Sequence, residues 1–214
     1  MAFKAAIFDL DGVIVDSVPL HFKAWKKMFN DYGRQFSFED YKNKVDGIPR
    51  LSGARAILSD FSDQELKKAG DSKQQYFLEF LEKEGVKVYQ STVDLVKQLR
   101  QNKLNTAVIS SSKNCLPILK KSGIDSLFDV IITGHDIKRG KPEPDVFLLA
   151  AEKLGQNPAD CIAFEDAVLG VEAAKRGNFR CVGIDRYQNP ARLAKADLVV
   201  ADLSEIDLNR LKNL

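Results

Sequence analysis

Six short apolar runs of β-forming residues punctuate the chain: "KAAIFDL" (4–10), "NTAVIS" (105–110), "DVIITG" (129–134), "CIAFED" (161–166), "CVGID" (181–185) and "DLVVADL" (197–203). Each reads as continuous rather than alternating, the pattern of a strand covered on both faces in a parallel sheet. From residue 91 onward, segments with helical spacing separate them: "STVDLVKQLRQN", "CLPILKKSG", "PDVFLLAAEKLG", "AVLGVEAAKRG" and "NPARLAKA". Several end in Gly beside Lys or Arg, as a helix C-terminus should. Strand and helix in alternation predict an α/β fold with a doubly wound, Rossmann-like parallel sheet.

Between the first and second runs the pattern changes. Some 90 residues show no convincing strand and read as helices: "SVPLHFKAWKKMFNDYG", "PRLSGARAILSD" and "DQELKKAGDSKQQYFLEFLEKEG". In the first, Ser17 is placed to cap and Pro19 falls in the opening turn. Val18, Phe22, Trp25, Phe29 and Tyr32 form its apolar stripe. So much helix exceeds the needs of a single crossover. The expectation is an all-helical cap, residues 16–87, inserted into an α/β catalytic core made of 1–15 and 88–214, with hinges near 13–17 and 85–91.

Composition sharpens this only a little. A 214-residue chain with 44% hydrophobic residues has ample material for such a core. The net charge of +2 gives no bulk electrostatic reason to bind nucleic acid or membrane. Three scattered cysteines, Cys115, Cys161 and Cys181, show no metal-ligand spacing, and their odd number suits a reducing compartment. "MAFKAAIFDLDG" reads as a strand interrupted by acids rather than a leader, and no run approaches a membrane span. A soluble, cytoplasmic protein acting as a monomer is expected.

The polar chemistry gathers at the ends of the strands. Asp9 and Asp11 follow the first, Ser110 closes the second in "VISSSKN", Lys141 follows the third in "GKPEPD", and Glu165 and Asp166 end the fourth. Open α/β sheets bind ligands outside the carboxyl ends of their strands, so four remote segments converge on one crevice. Two unit charges 4 Å apart repel by roughly 4 kcal/mol at an effective dielectric near 20. The carboxylates therefore share either a proton or a hard cation. Oxygen donors without nearby His or Cys favour Mg²⁺. With Lys141 as fixed positive charge and Ser110 as a hydroxyl donor, the set suits phosphoryl transfer. In a D-x-D at a strand end both carboxylates face one reacting group: one attacks phosphorus, the other moves a proton.

"DLDGVIVDS", "ISSSKN", "GKPEPD" and "FEDA" resemble, in order and over essentially the whole chain, the four motifs of the haloacid dehalogenase superfamily of phosphotransferases. The resemblance implies Asp9 as nucleophile, Asp11 as general acid/base, and Ser110 and Lys141 as ligands of the transferring phosphoryl group. It implies Mg²⁺ held by Asp9, the backbone carbonyl of Asp11 and Asp166, with Glu165 assisting, and a helical cap whose closure excludes water. Within the superfamily the chain is similar to the β-phosphoglucomutase branch. "HFKAW" supplies His21 and Trp25, "DGIPR" supplies Arg50, and "SSSKN" supplies Ser112, Lys113 and Asn114. The resemblance implies that Arg50 and the Ser112–Asn114 loop hold the phosphate that is not being transferred, and that His21 gates Asp11. Trp25 serves either the helical core or the sugar. The branch also carries a further cap lysine; Glu79 stands near its place and Lys73 is the nearest lysine. The activity implied is a mutase interconverting β-glucose 1-phosphate and glucose 6-phosphate, with a small-sugar-phosphate phosphatase as the alternative. His135, Lys138 and Arg139 read as solvated loop residues.

Overall fold

The computed structural model describes residues 3–46 and 48–214. Among the described residues there are eight strands: β1 (Ala5–Asp9), β2 (Val15–Asp16), β3 (Lys87–Val88), β4 (Asn105–Ile109), β5 (Val130–Ile132), β6 (Cys161–Glu165), β7 (Arg180–Ile184) and β8 (Leu198–Val200). Six of them form one parallel sheet in the order β5-β4-β1-β6-β7-β8, the doubly wound arrangement expected. β1 lies in its interior because nothing in it needs water until its end: Ala5, Ala6, Ile7 and Phe8 are completely buried. Phe8 stacks on Phe164 of β6 with ring centroids 4.4 Å apart. Burying side chains the size of Ile7 and Phe8 stabilises the fold by about 1.5–3 kcal/mol each.

The chain divides into two compact units, one running to Asp16 and resuming at Lys87–Leu214, the other Ser17–Val86. In the second, α1 (Val18–Asp31), the single turn α2 (Phe38–Asp40), α3 (Arg50–Ile57) and α4 (Asp63–Glu84) enclose a core of Trp25, Met28, Phe29, Phe36, Tyr41, Leu58 and Leu66. Ser62 and Glu65 close a capping box at the start of α4, and Gly85 at φ +69° ends it. Ser17 stands at the N-cap position of α1, but its side chain makes no capping bond. Its backbone is already helical (φ −89°, ψ −11°), whereas a capping residue needs extended backbone to aim its oxygen at the free N–H groups. The apolar stripe on α1 is wider than the heptad-like reading: Leu20, Ala24 and Met28 are buried as well as Trp25 and Phe29.

The first unit continues with α5 (Gln90–Gln101), α6 (Cys115–Lys121), α7 (Asp145–Lys153), α8 (Val168–Arg176) and α9 (Leu208–Lys212). The structure departs from the sequence reading in two further places. β2 and β3 pair antiparallel, Val15 with Val88 and Asp16 with Lys87, where the two chain crossings leave the α/β unit; two residues are too few to show a period. "NPARLAKA" forms only a 3₁₀ turn, Pro190–Leu193, because the chain must drop Leu193 against Gly183 before rising into β8. All three cysteines are buried and unpaired with one another. No helix among the described residues is long and apolar enough to cross a membrane.

Candidate active site

Parallel pairing brings the ends of β1, β4 and β6 level: Asp9 pairs with Ile109, and Phe8 with Phe164. Asp9 thus ends beside the chain that carries Ser110 and the chain that carries Glu165 and Asp166. Lys141 arrives from the loop after β5 and donates to both Asp9 Oδ1 and Glu165 Oε1. Glu165, fully buried, also accepts from the Ala167 backbone N–H at 3.1 Å. Asp11 accepts a 3.2 Å hydrogen bond from Ser110 Oγ, which in turn accepts from the Ser112 N–H at 3.0 Å.

The charges in this rim do not balance. Burial raises the Asp9 carboxyl to about 8, with Glu165 and Asp11 adding to the rise and Lys141 opposing it. Burial, then Glu165 and Asp9, push Asp166 well above the carboxylate range. Burial works against a charged Lys141, but Asp9 and Glu165 hold its ammonium above the ordinary lysine range. One ammonium faces three acids, so burial disfavours the excess negative charge, and protons neutralise it unless a cation takes their place. Asp9, Glu165 and Asp166 each offer a carboxylate oxygen within 4.8 Å of the others. An all-oxygen donor set with surplus negative charge fits a hard divalent cation.

Two glycines, of which the sequence signals only Gly12 and only as a turn, make this packing possible. Gly12 has φ +79°, and a Cβ there would lie 1.9 Å from Asp166 Oδ2. A Cβ on Gly170, in the first turn of α8, would lie 1.9 Å from Glu165 Oε1. Both acids therefore rest directly on backbone. "DG" signals a turn, but no local rule says that a carboxylate from β6 occupies the missing side chain's space.

Of the loop residues singled out in "SSSKN", Asn114 is buried, Ser112 Oγ accepts from the Asn114 N–H at 3.1 Å, and Lys113 is exposed. In the helical unit, His21 stacks on Phe77 with centroids 4.3 Å apart. Lys73, which the linear reading left as only the nearest candidate, is almost completely buried there. Its Nζ lies 2.8 Å from His21 Nδ1 and 5.2 Å from the rings of Trp25 and Phe77. Lys73 and Phe77 are four apart on α4 and so share a face. Burial and the Lys73 charge hold His21 well below the usual histidine range, hence neutral near pH 7. Trp25 is 3% exposed and stacks on Phe29 at 5.3 Å. Arg50 donates to Gln74 Oε1 at 3.1 Å and borders an open groove that Glu79 also lines. Glu79 is bound by Gln75 at 2.9 Å. His135 and Lys138 are exposed, and Arg139 pairs with Asp145 at 2.7 Å.

Comparison with known proteins adds to this geometry. A β-phosphoglucomutase of Mycobacterium bovis is 36% identical over 95% of this chain and 91% of its own length. A phosphorylated carbohydrates phosphatase of Thermotoga maritima is 32% identical, covering 99% of each chain. The crystal structure of a β-phosphoglucomutase from Clostridium difficile superposes with a TM-score of 0.88 at 29% identity, over 99% of this chain and 96% of that one. The family model for haloacid dehalogenase-like hydrolases matches residues 3–178. With its acids, lysine and serine at the carboxyl edge of a parallel sheet, this chain belongs to the haloacid dehalogenase-like hydrolase family.

Proposed function

We propose that the protein transfers phosphoryl groups of sugar phosphates through a covalent intermediate on Asp9, and that it is a β-phosphoglucomutase. The observation that carries the first half is Lys141 bound to both Asp9 and Glu165 beside Asp166. Such a grouping costs the fold free energy unless it meets a ligand of matching charge. Asp9, the Asp11 backbone carbonyl and Asp166, assisted by Glu165, would hold Mg²⁺. When bound, the ion supplies charge neutralisation for the phosphoryl oxygens.

In this reading an Asp9 carboxylate oxygen attacks phosphorus, the bond from phosphorus to the ester oxygen breaks, and Asp11 gives its proton to the departing oxygen. Lys141 and Ser110 bind the transferring phosphoryl oxygens. In the return step the acceptor hydroxyl loses its proton to Asp11 and takes the phosphoryl group from Asp9. With the 6-hydroxyl of β-glucose 1-phosphate as acceptor the product is the 1,6-bisphosphate. Its 1-phosphoryl group then returns to Asp9 and leaves glucose 6-phosphate. Water as acceptor makes the same chemistry a phosphatase, the reading favoured by the 32% identity to the Thermotoga enzyme.

The mutase is preferred for what the helical unit carries. Among the described residues Arg50 donates to the Gln74 amide and pairs with no acid, which leaves its charge for an anion. His21 and Lys73 form a polar pair of the kind that takes a sugar, backed by the buried ring of Trp25. Arg50 is assigned to the second phosphate that only a mutase must hold, and Ser112, Lys113 and Asn114 are the α/β unit's own candidates for binding it. One incubation separates the readings: β-glucose 1-phosphate with Mg²⁺ and a trace of the 1,6-bisphosphate is expected to yield glucose 6-phosphate in large excess over free phosphate. Predominant phosphate release, unmoved by bisphosphate, assigns the phosphatase instead.

The cation has its own test, independent of turnover. Mg²⁺ at a hundred times its dissociation constant stabilises the protein by about 2.7 kcal/mol through mass action alone. Thermal unfolding should shift upward with Mg²⁺ and not with equal ionic strength of NaCl. Equal shifts with both salts would remove Mg²⁺ from the site.

A further inference from the structure

Arg186, just past the end of β7, reaches back to the loop between the two aspartates and the chain crossing. Its Nε donates to the Gly12 carbonyl at 2.8 Å. Its guanidinium carbon lies 3.7 Å from the centroid of the Tyr89 ring, which it covers. The remaining contacts, Nη1 to the Ala201 carbonyl at 3.5 Å and to Asp202 Oδ2 at 3.4 Å, are long. Contacts of that length are weak, so the bond to Gly12 and the stack on Tyr89 orient the side chain.

Both partners matter to the rim. The Gly12 N–H donates to the Val15 carbonyl at 2.8 Å, and its Cα side is pressed against the Asp166 carboxylate. With Arg186 on its carbonyl, this glycine is held at three points. A glycine has the widest backbone freedom of any residue, so its peptide keeps one orientation only while such contacts persist. Tyr89 follows β3 and donates its own N–H to the Ile14 carbonyl at 2.9 Å. Burial, with Asp16, Asp166 and Asp202 nearby, keeps its phenol protonated, while Arg186 opposes that rise. Arg186 therefore touches the loop bearing Asp11 and, through Tyr89, the chain just after β3.

We propose that Arg186 is a positioning residue: by holding the Gly12 carbonyl while braced on Tyr89, it sets the placement of Asp11 and Asp166. The inference rests on the reading of those two acids given above. It assigns Arg186 no contact with substrate.

Arg186→Ala and Arg186→Lys test it by three readings. The first is Mg²⁺ affinity of the substrate-free protein by calorimetry. The second is kcat and KM for the sugar phosphate. The third is recovery by guanidinium chloride at non-denaturing concentration against equal NaCl. Groups that orient a metal site typically cost about ten- to a hundredfold when removed. That loss is expected in both kcat and Mg²⁺ affinity for the alanine variant, with KM within about threefold of wild type because uniform binding is untouched. Guanidinium, not NaCl, should restore part of both. Lysine keeps the charge but lacks the planar fork, and should stay closer to alanine than to wild type.

Kcat and Mg²⁺ affinity both within about twofold of wild type would overturn the proposal, because independent sites behave so. So would a lowered melting temperature with unchanged kcat per folded molecule, or rescue by NaCl as effective as by guanidinium. Should the alanine variant fail to fold, the lysine variant is read by the same criteria. If the wild-type protein transfers no phosphoryl group at all, the functional reading is what has failed, and Mg²⁺ affinity with its guanidinium rescue still decides the role of Arg186.

Discussion

Asp9→Asn is expected to abolish phosphoryl transfer, with residual turnover at least about 10⁴-fold below wild type, since the covalent route is closed and no other group substitutes for a nucleophile. The variant keeps the shape of the carboxylate and should fold. It should also be more stable than wild type when metal is removed. A carboxyl raised to about 8 in the folded protein, from 3.8, binds its proton more tightly than in the unfolded chain. Its contribution is fully present below pH 3.8 and is lost as pH rises through about 8. In EDTA, wild type should therefore lose stability from pH 4 toward pH 8 relative to Asp9→Asn, and Mg²⁺ should narrow the gap by compensating the ionised form. Thermal unfolding of both proteins at pH 5 and pH 8, with and without Mg²⁺, measures this. Appreciable turnover by Asp9→Asn would assign the nucleophile elsewhere, and parallel pH curves would mean that the Asp9 charge is already balanced.

Gly12→Ala should be nearly as damaging to turnover while touching no reacting group. Its added methyl would sit 1.9 Å from Asp166 Oδ2, well inside any tolerated contact, so one of the two must move. The φ of +79° adds about 1–2 kcal/mol of backbone strain for any residue with a Cβ. A misplacement of about 1 Å in a catalytic set costs on the order of a hundredfold in rate. We expect that loss in kcat together with weakened Mg²⁺ binding, and a melting temperature lowered by the strain. Ala at Gly33 is the control: its φ of +69° gives comparable strain, but nothing lies within 4 Å. Gly33→Ala should lower stability and leave kcat unchanged. Equal kcat in the two variants would show that the space beside Asp166 is not what matters.

What was readable from the chain alone follows from short-range physics. Continuous apolar runs, helix periods and glycine stops depend on neighbours within a few residues, and they predict all six strands of the sheet and the long helices. The doubly wound order then places Asp9, Ser110, Lys141, Glu165 and Asp166 at one edge without any knowledge of contacts, because parallel strands align their carboxyl ends. Asp9, Glu165 and Asp166 were legible for that reason.

Tertiary structure decided the rest. Lys73 could not be placed by counting along α4, since its meaning lies in the 2.8 Å approach to His21 from another helix. Arg186 carries no motif, and its role exists only because β7 ends close to the Gly12 carbonyl. Ser17 looked like a cap and is not one, because the incoming chain arrives already in helical conformation. Gly12 was legible as a turn but not as the seat of a carboxylate. Residue type and period are local properties and are written into the sequence itself. Which buried charge meets which backbone atom depends on segments a hundred or more residues apart, and only the folded chain brings them together.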